Sequence, residues 1–307
     1  ATNEISSGYT ADILGSLKGD FSRLSSVESD LVRMEGYRSN IDEFDLLLSA
    51  QQGVLQKIRQ IGTVSSAFLS VPVGVTGPAL SSFGAEGLTA FDATLQALNV
   101  QSGGRSVFSG TATDRSAVGD FDTILTAIEL EVSTAAATTA VDVETVVDTW
   151  FAIGGGFDAL GYTGGAASDT PIHLSDSEVS NPLVTAQDDA IRHSLASHAL
   201  AALVGRDLLS GDVAEQANLI RRSGEKLLQS DSELINLQSR IGLSEAVLER
   251  ASAEVQTQQD ALVLTKAELV EVDAYEAATR LQNAELRLQS IYTLTGRLSR
   301  LSLTEYL

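Results

Sequence analysis

The 307-residue chain carries 20 Lys and Arg against 41 Asp and Glu, a net charge of −21, with 43% hydrophobic residues, 5% aromatics and no cysteine. Charge of that sign repels nucleic acid and anionic membrane, and no basic patch offsets it, so neither is expected as a partner. No apolar run reaches the roughly 20 residues of a membrane-spanning helix, no basic-then-apolar start marks a secretory signal, and without cysteine there is no disulfide, iron–sulfur cluster or thiolate zinc site.

Aromatics supply the largest buried areas, so a chain poor in them relies on Leu, Ile, Val and Ala packed along helices. From Leu17 the apolar positions run Phe21, Leu24, Val27, Leu31, Met34, Tyr37, Ile41, Phe44, Leu48, Leu55, Ile58 and Ile61, mostly in steps of three and four. That is a coiled-coil seam with charged residues between its members, and it predicts a helix over 16–62. Gly62, Pro72, Gly74, Gly77 and Pro78 predict a loop after it. Phe83, Leu88, Phe91, Leu95 and Leu98 predict a second helix, left through Gly103 and Gly104.

Residues 112–205 differ in composition, with Arg115 and Arg192 the only bases among 14 acids. Asp120 and Asp142 are read as N-caps of helices over 121–135 and 142–152, with Ile124, Ile128, Val132, Val146, Trp150 and Phe151 facing inward. The glycines Gly154–Gly156, Gly161, Gly164 and Gly165 predict a loop, and 171–174 with 182–185 a short antiparallel hairpin. Thr185 with Asp188 opens a further helix whose apolar face is Ile191, Leu195, Leu200 and Leu203.

Beyond Pro182 there is no proline, and Leu234, Ile241, Leu248, Val255, Leu262 and Leu269 recur every seven residues. Asp212 and Glu215 form a capping box, so a helix is expected from about 213 to about 295 with one break near Gly242. A helix that long has no compact core to bury it and packs instead against the N-terminal one. The expected fold is mainly α: a long antiparallel coiled-coil rod formed by the arms 1–111 and 206–307, with a small inserted α+β domain at 112–205.

Catalytic signals are missing. His193 and His198 are five residues apart, about 140° around a helix, so they cannot share a metal as an i, i+4 pair does. With His173 they are expected to be ordinary surface or interface histidines. Gly154–Gly156 lacks the spacing and lysine of a phosphate loop and is expected to be a flexible turn. Clusters such as Asp42, Glu43 and Asp45, or Asp188 and Asp189, match no calcium loop and are expected to be solvated. No cofactor or metal is expected, and no enzyme activity. One alternative is that Trp150, Phe151, Phe157 and Tyr162 are exposed as a polysaccharide-stacking surface.

Short phrases carry a resemblance. Glu4-Ile5-Ser6-Ser7-Gly8, Asn99 with Val107-Phe108-Ser109-Gly110-Thr111, Asp273 to Leu281, and the closing Leu301-Ser302-Leu303-Thr304-Glu305-Tyr306-Leu307 resemble phrases of the flagellin superfamily. Phe108, Ser109, Gly110, Tyr306 and Leu307 are its most specific positions. The Phe-Ser-Gly phrase and the ending are most similar to the hook–filament junction branch, with filament flagellin as the alternative.

The resemblance implies an elongated coiled-coil subunit without catalytic function, exported by the flagellar type III route with the help of a chaperone. Outside the cell it assembles with copies of itself into a ring, between another hook-associated protein and flagellin. It implies a self-assembly seam of Phe21, Leu24, Leu31, Ile41, Leu48, Ile241, Leu248, Val255, Leu262, Leu269, Leu288, Leu298 and Leu301. Members also carry a helix ahead of the Ser-Ser-Gly phrase. Since this chain starts at Ala1, the resemblance implies a shortened N-terminus and an uncovered stripe of Leu281, Leu288, Ile291, Leu294, Leu298 and Leu301.

Overall fold

The computed structural model describes residues 20–72, 74–75, 77–167, 171–180, 184–271 and 274–304, without the side chains of 274, 276, 277 and 299–304. Glu4–Gly8, Ile13, Leu14, Leu17, Pro182, Tyr306 and Leu307 lie outside the described residues. The protein is mainly α. Helix α1 spans Ser22–Ile61, α2 Ser65–Leu69, α3 Gly77–Leu98, α4 Phe121–Thr134, α5 Ala140–Phe151, α6 Asp189–Gly205, α7 Val213–Val270 and α8 Ala274–Thr304. Two small antiparallel hairpins accompany them, β1 (Gln101–Ser102) with β2 (Arg105–Ser106), and β3 (Ile172–His173) with β4 (Val179–Ser180).

Several boundaries differ from expectation for identifiable reasons. Gly77 and Pro78 begin α3 instead of sitting in a loop, because a proline in the first turn gives up an N–H that has no helical partner there. The N-cap of α5 is Thr139, and Asp142 is its reciprocal partner at the third position of a capping box. Asp188 alone caps α6, while Thr185 accepts from the Gln187 N–H in the turn before it. The second hairpin strand is Val179–Ser180 and not 182–185, with Ile172 opposite Ser180. Gly103 and Gly104 close the first hairpin with φ of 58° and 79°, the left-handed pair that a two-residue turn requires.

The chain forms two compact units, Ala1–Arg38 with Ala253–Leu307, and Ser39–Ser252. In the second unit α1 and α7 run antiparallel: Gln52 donates to the Gln238 carbonyl at 2.9 Å and Arg59 pairs with Asp231 at 2.7 Å. Leu48, Leu55, Ile58, Leu234, Leu237, Ile241 and Leu248 are all buried there. In the first unit the same two helices again run antiparallel, with Lys266 2.9 Å from Glu28 and with Leu24, Val27, Met34 and Val255 buried. Helix α7 passes Gly242 without the expected break and ends at Val270, and α8 runs on to Thr304 instead of ending near 295. A mid-helix glycine costs only about 1 kcal/mol relative to alanine, less than the apolar burial on either side of it contributes.

Helix α6 is the centre of the second unit. Every residue from Ala190 to Val204 except His193 is buried, so burial extends beyond the expected apolar face of Ile191, Leu195, Leu200 and Leu203 and takes in the polar Arg192, Ser194, Ser197 and His198. Its closest neighbour is α3, and their backbones approach at small residues. A Cβ on Gly84 would lie 2.7 Å from the Gly205 nitrogen, and one on Gly87 would lie 2.6 Å from the Ala201 carbonyl carbon. Backbone atoms cannot swing aside, so Gly87→Ala is predicted to cost about 1–3 kcal/mol in urea unfolding. Gly53→Ala, at a mid-helix site with nothing within 4 Å, is predicted to stabilise by about 0.5–1 kcal/mol.

Candidate assembly surface

The predicted seam residues divide by burial. Leu24, Ile41, Leu48, Ile241, Leu248 and Val255 are buried. Leu31, Leu262 and Leu269 are half-buried. Phe21 precedes the first residue of α1 and is exposed, as are Leu288 and Leu298 on α8. Leu301 lies in α8, and its side chain is outside the described set.

The phrase from Asn99 to Thr111 is a knot of backbone contacts inside the Ser39–Ser252 unit. The Asn99 amide donates to the Val118 carbonyl at 3.0 Å and accepts from the Val118 N–H at 2.9 Å, imitating one rung of a ladder. Phe108 is fully buried and its carbonyl accepts from the Ala186 N–H at 3.0 Å. Ser109, also buried, accepts at its carbonyl from the Gly165 N–H at 2.8 Å. Gly110 has φ of 60°, and a Cβ there would lie 2.5 Å from the Ala166 carbonyl oxygen. Sequence reasoning missed Gln51, which is buried on α1 and donates to both the Val107 and the Val184 carbonyl. Its signal was the gap in the seam between Leu48 and Leu55.

The acidic stretch holds a polar staple. Arg192 is buried, donates to the Gln187 and Phe151 carbonyls at 2.7 and 3.1 Å, pairs with Asp158, and lies 5.2 Å from the Phe157 ring centre. Burial pushes the Asp158 carboxyl up. Hydrogen bonds from the Gly154 N–H, Arg192 and Gln187, with the Arg192 charge, outweigh that and hold it below its ordinary value. Trp150, Phe151 and Phe157 are buried against one another, so they form a core and not an exposed stacking surface. Of the three glycines 154–156, the last two are tightly packed, since a Cβ on Gly155 would lie 2.5 Å from the Thr149 carbonyl oxygen and one on Gly156 would strike the Trp150 indole, whereas Gly154, with φ of 76°, has open space around it.

Chemistry does not converge here. A cleft of about 530 Å³ between α5, α6 and α7 has Asp148 paired with Lys226 and His193 paired with Glu233, each at 2.6 Å. Among the described residues no three metal-ligating side chains gather. The clusters expected to be solvated are partly engaged: Glu43 pairs with Arg105, and Asp188 caps α6 and meets Arg240 at 2.9 Å. His198 is not at the surface. It is fully buried, with Nδ1 2.8 Å from the Ser194 carbonyl and Nε2 without a partner among the described residues.

The remaining surface feature is α8. Leu286, Leu288, Ile291, Leu294 and Leu298 are each more than half exposed, and Tyr292 is 75% exposed. Leu281 is half-buried. No described helix covers this stripe.

Residues 229–307 match the model of the bacterial flagellin C-terminal helical region. The match takes in the later part of α7 and all of α8. In fold the chain is similar to FlgL of Bacillus cereus, with a TM-score of 0.53 at 14% identity over 79% of this chain and 100% of that one. A putative flagellar hook-associated protein from Vibrio parahaemolyticus aligns with a TM-score of 0.45 at 15% identity, over 80% of this chain and 99% of that one. At such identities the likeness is one of fold, and it rests on the first of the two. No curated protein sequence matches the chain.

Burial drives the His198 pKa down to about 4, against the pull of its bond to the Ser194 carbonyl. The unfolded chain therefore binds a proton near pH 6.5 that the folded chain refuses, and stability falls as pH drops through that window. Between pH 7 and 5 the loss attributable to His198 is predicted at about 2 kcal/mol. Urea midpoints of His198→Leu measured against the parent across that range are expected to show the smaller pH slope in the variant.

Proposed function

We propose that the chain is a structural, non-catalytic component of the bacterial flagellum, an adaptor that joins copies of itself into a ring between hook and filament. Another hook-associated protein lies on the hook side and flagellin on the filament side. The subunit leaves the cell through the flagellar type III route with an export chaperone. Residues 1–111 and 206–307 serve as helical arms and 112–205 as the insertion, whose like charges limit lateral sticking.

The observation that carries this is the uncovered apolar stripe of α8, lying inside the segment that matches the flagellin C-terminal helical region. A fully buried Leu or Ile side chain contributes about 1.5–3 kcal/mol, so Leu288, Ile291, Leu294 and Leu298 together represent several kcal/mol realised only when a neighbour covers them. An isolated helix is marginal in water, so ordering of α8 is coupled to assembly, and subunits in transit do not polymerise prematurely. The buried positions of the seam hold each arm rigid, and the exposed ones carry subunit contact. The fold likeness to FlgL supports the hook-associated reading over filament flagellin.

Deleting the gene and examining cells and medium by electron microscopy tests this. Hooks without filaments, with flagellin monomers shed into the medium, are expected. Bare hooks with no shed flagellin point to filament flagellin instead, and cells with normal filaments sink the proposal. Complementation with Leu294→Asp/Leu298→Asp is expected to leave the defect in place, since two carboxylates in the contact undo its apolar burial.

A further inference from the structure

Resting on the assembly reading above, we propose that the α8 seam of one copy docks antiparallel onto the stripe Phe21–Ser25–Glu28–Val32–Glu35 of a second copy.

The seam of α8 is not purely apolar. Along one face, in alternating steps of four and three, run Arg280, Ala284, Arg287, Ile291, Leu294 and Leu298. Arginines at two seam positions seven residues apart are desolvated when the face is covered, which is costly unless the covering surface supplies carboxylates at the same spacing. Both are exposed, and neither has an ion-pair partner among the described residues. The helix as a whole has Arg280, Arg287, Arg297 and Arg300 against Glu276 and Glu285, a basic element in a chain of charge −21.

The required counterpart lies on α1. About a quarter turn around from the buried Leu24, Val27 and Met34, the residues Phe21, Ser25, Glu28, Val32 and Glu35 follow the same four-three rhythm, and all are exposed. Val32 at 73% and Phe21, just ahead of α1, at 40% are the large apolar residues that this chain leaves uncovered on that stripe. Laid antiparallel, Arg280 meets Glu35, Ala284 meets Val32, Arg287 meets Glu28, Ile291 meets Ser25 and Leu294 meets Phe21. Charge opposes charge, small opposes branched, and apolar opposes apolar. Glu28 already has Lys266 at 2.9 Å, so Arg287 joins an existing pair, whereas Glu35 has no ion-pair partner among the described residues. Because each chain leaves both stripes open, the contact is head-to-tail, the type that closes into a ring or runs on as a helix.

Two charge-reversal variants of the full chain test it by sedimentation, with helicity checked by circular dichroism. Arg280→Glu/Arg287→Glu and Glu28→Arg/Glu35→Arg each place like charges across the contact, and each alone is expected to weaken self-association by at least about tenfold. Mixed in equal amounts, the intact α1 of the first variant meets the intact α8 of the second, and the reversed stripes meet each other, so association is expected to return. A mixture no better than either variant alone, or variants that associate like the parent, overturns the contact. Loss of the hook role in the deletion strain leaves this result untouched, so the two failures are distinguishable.

Discussion

A long amphipathic helix holds its shape in water only while its apolar stripe is covered, and the chain satisfies that condition on α1 and α7 but not on α8. The inner seam of α1 and α7 is filled from Leu48 to Ile58 and from Leu234 to Leu248 in one unit, and by Leu24, Val27, Met34 and Val255 in the other. On α8 the corresponding residues face solvent. This asymmetry is the source of the proposed activity, because free energy left unrealised inside a subunit is what drives copies together.

The rest of the structure keeps the covered part rigid. Close approach of α3 and α6 at Gly84, Gly87, Ala201 and Gly205 leaves no slack, and α6 becomes a central post buried on nearly every side. Around that post the buried apolar residues of α4 and α5 are joined by polar clamps: Asn99 holds Val118, Gln51 holds Val107 and Val184, and on α6 itself Arg192 holds Asp158 and the Gln187 and Phe151 carbonyls. Buried amide and guanidinium groups of this kind specify one arrangement, since each mismatch leaves an unpaired donor away from water. His198 adds a cost that appears only in acid.

Helical periodicity made α1, α4, α5, α6 and α7 legible from sequence, since steps of three and four report a buried face directly. Boundaries were less so. The heptads of α7 run through Gly242 because the neighbouring burial outweighs one glycine, and no local signal weighs those two terms. Thr139 was hidden behind Asp142, since both residue types cap helices and the reciprocal pair uses both. The hairpin partner of Ile172 was misplaced because two-residue strands carry no alternation to read. Clamps such as Gln51 and the buried His198 depend on segments far apart in the chain, and spacing along one helix does not reveal them. The stripe of α8 was legible as a pattern, its lack of cover was expected only through the family resemblance, and the structure leaves Leu288, Ile291, Leu294 and Leu298 exposed.

The most direct measurement is amide hydrogen exchange on the purified full chain, as dilute monomer and as assembled material. The account predicts that amides of α8 exchange orders of magnitude faster than those of α6 in the monomer and gain strong protection on assembly. Amides of α8 already as protected in the monomer as those of α6, or unchanged by assembly, would contradict it.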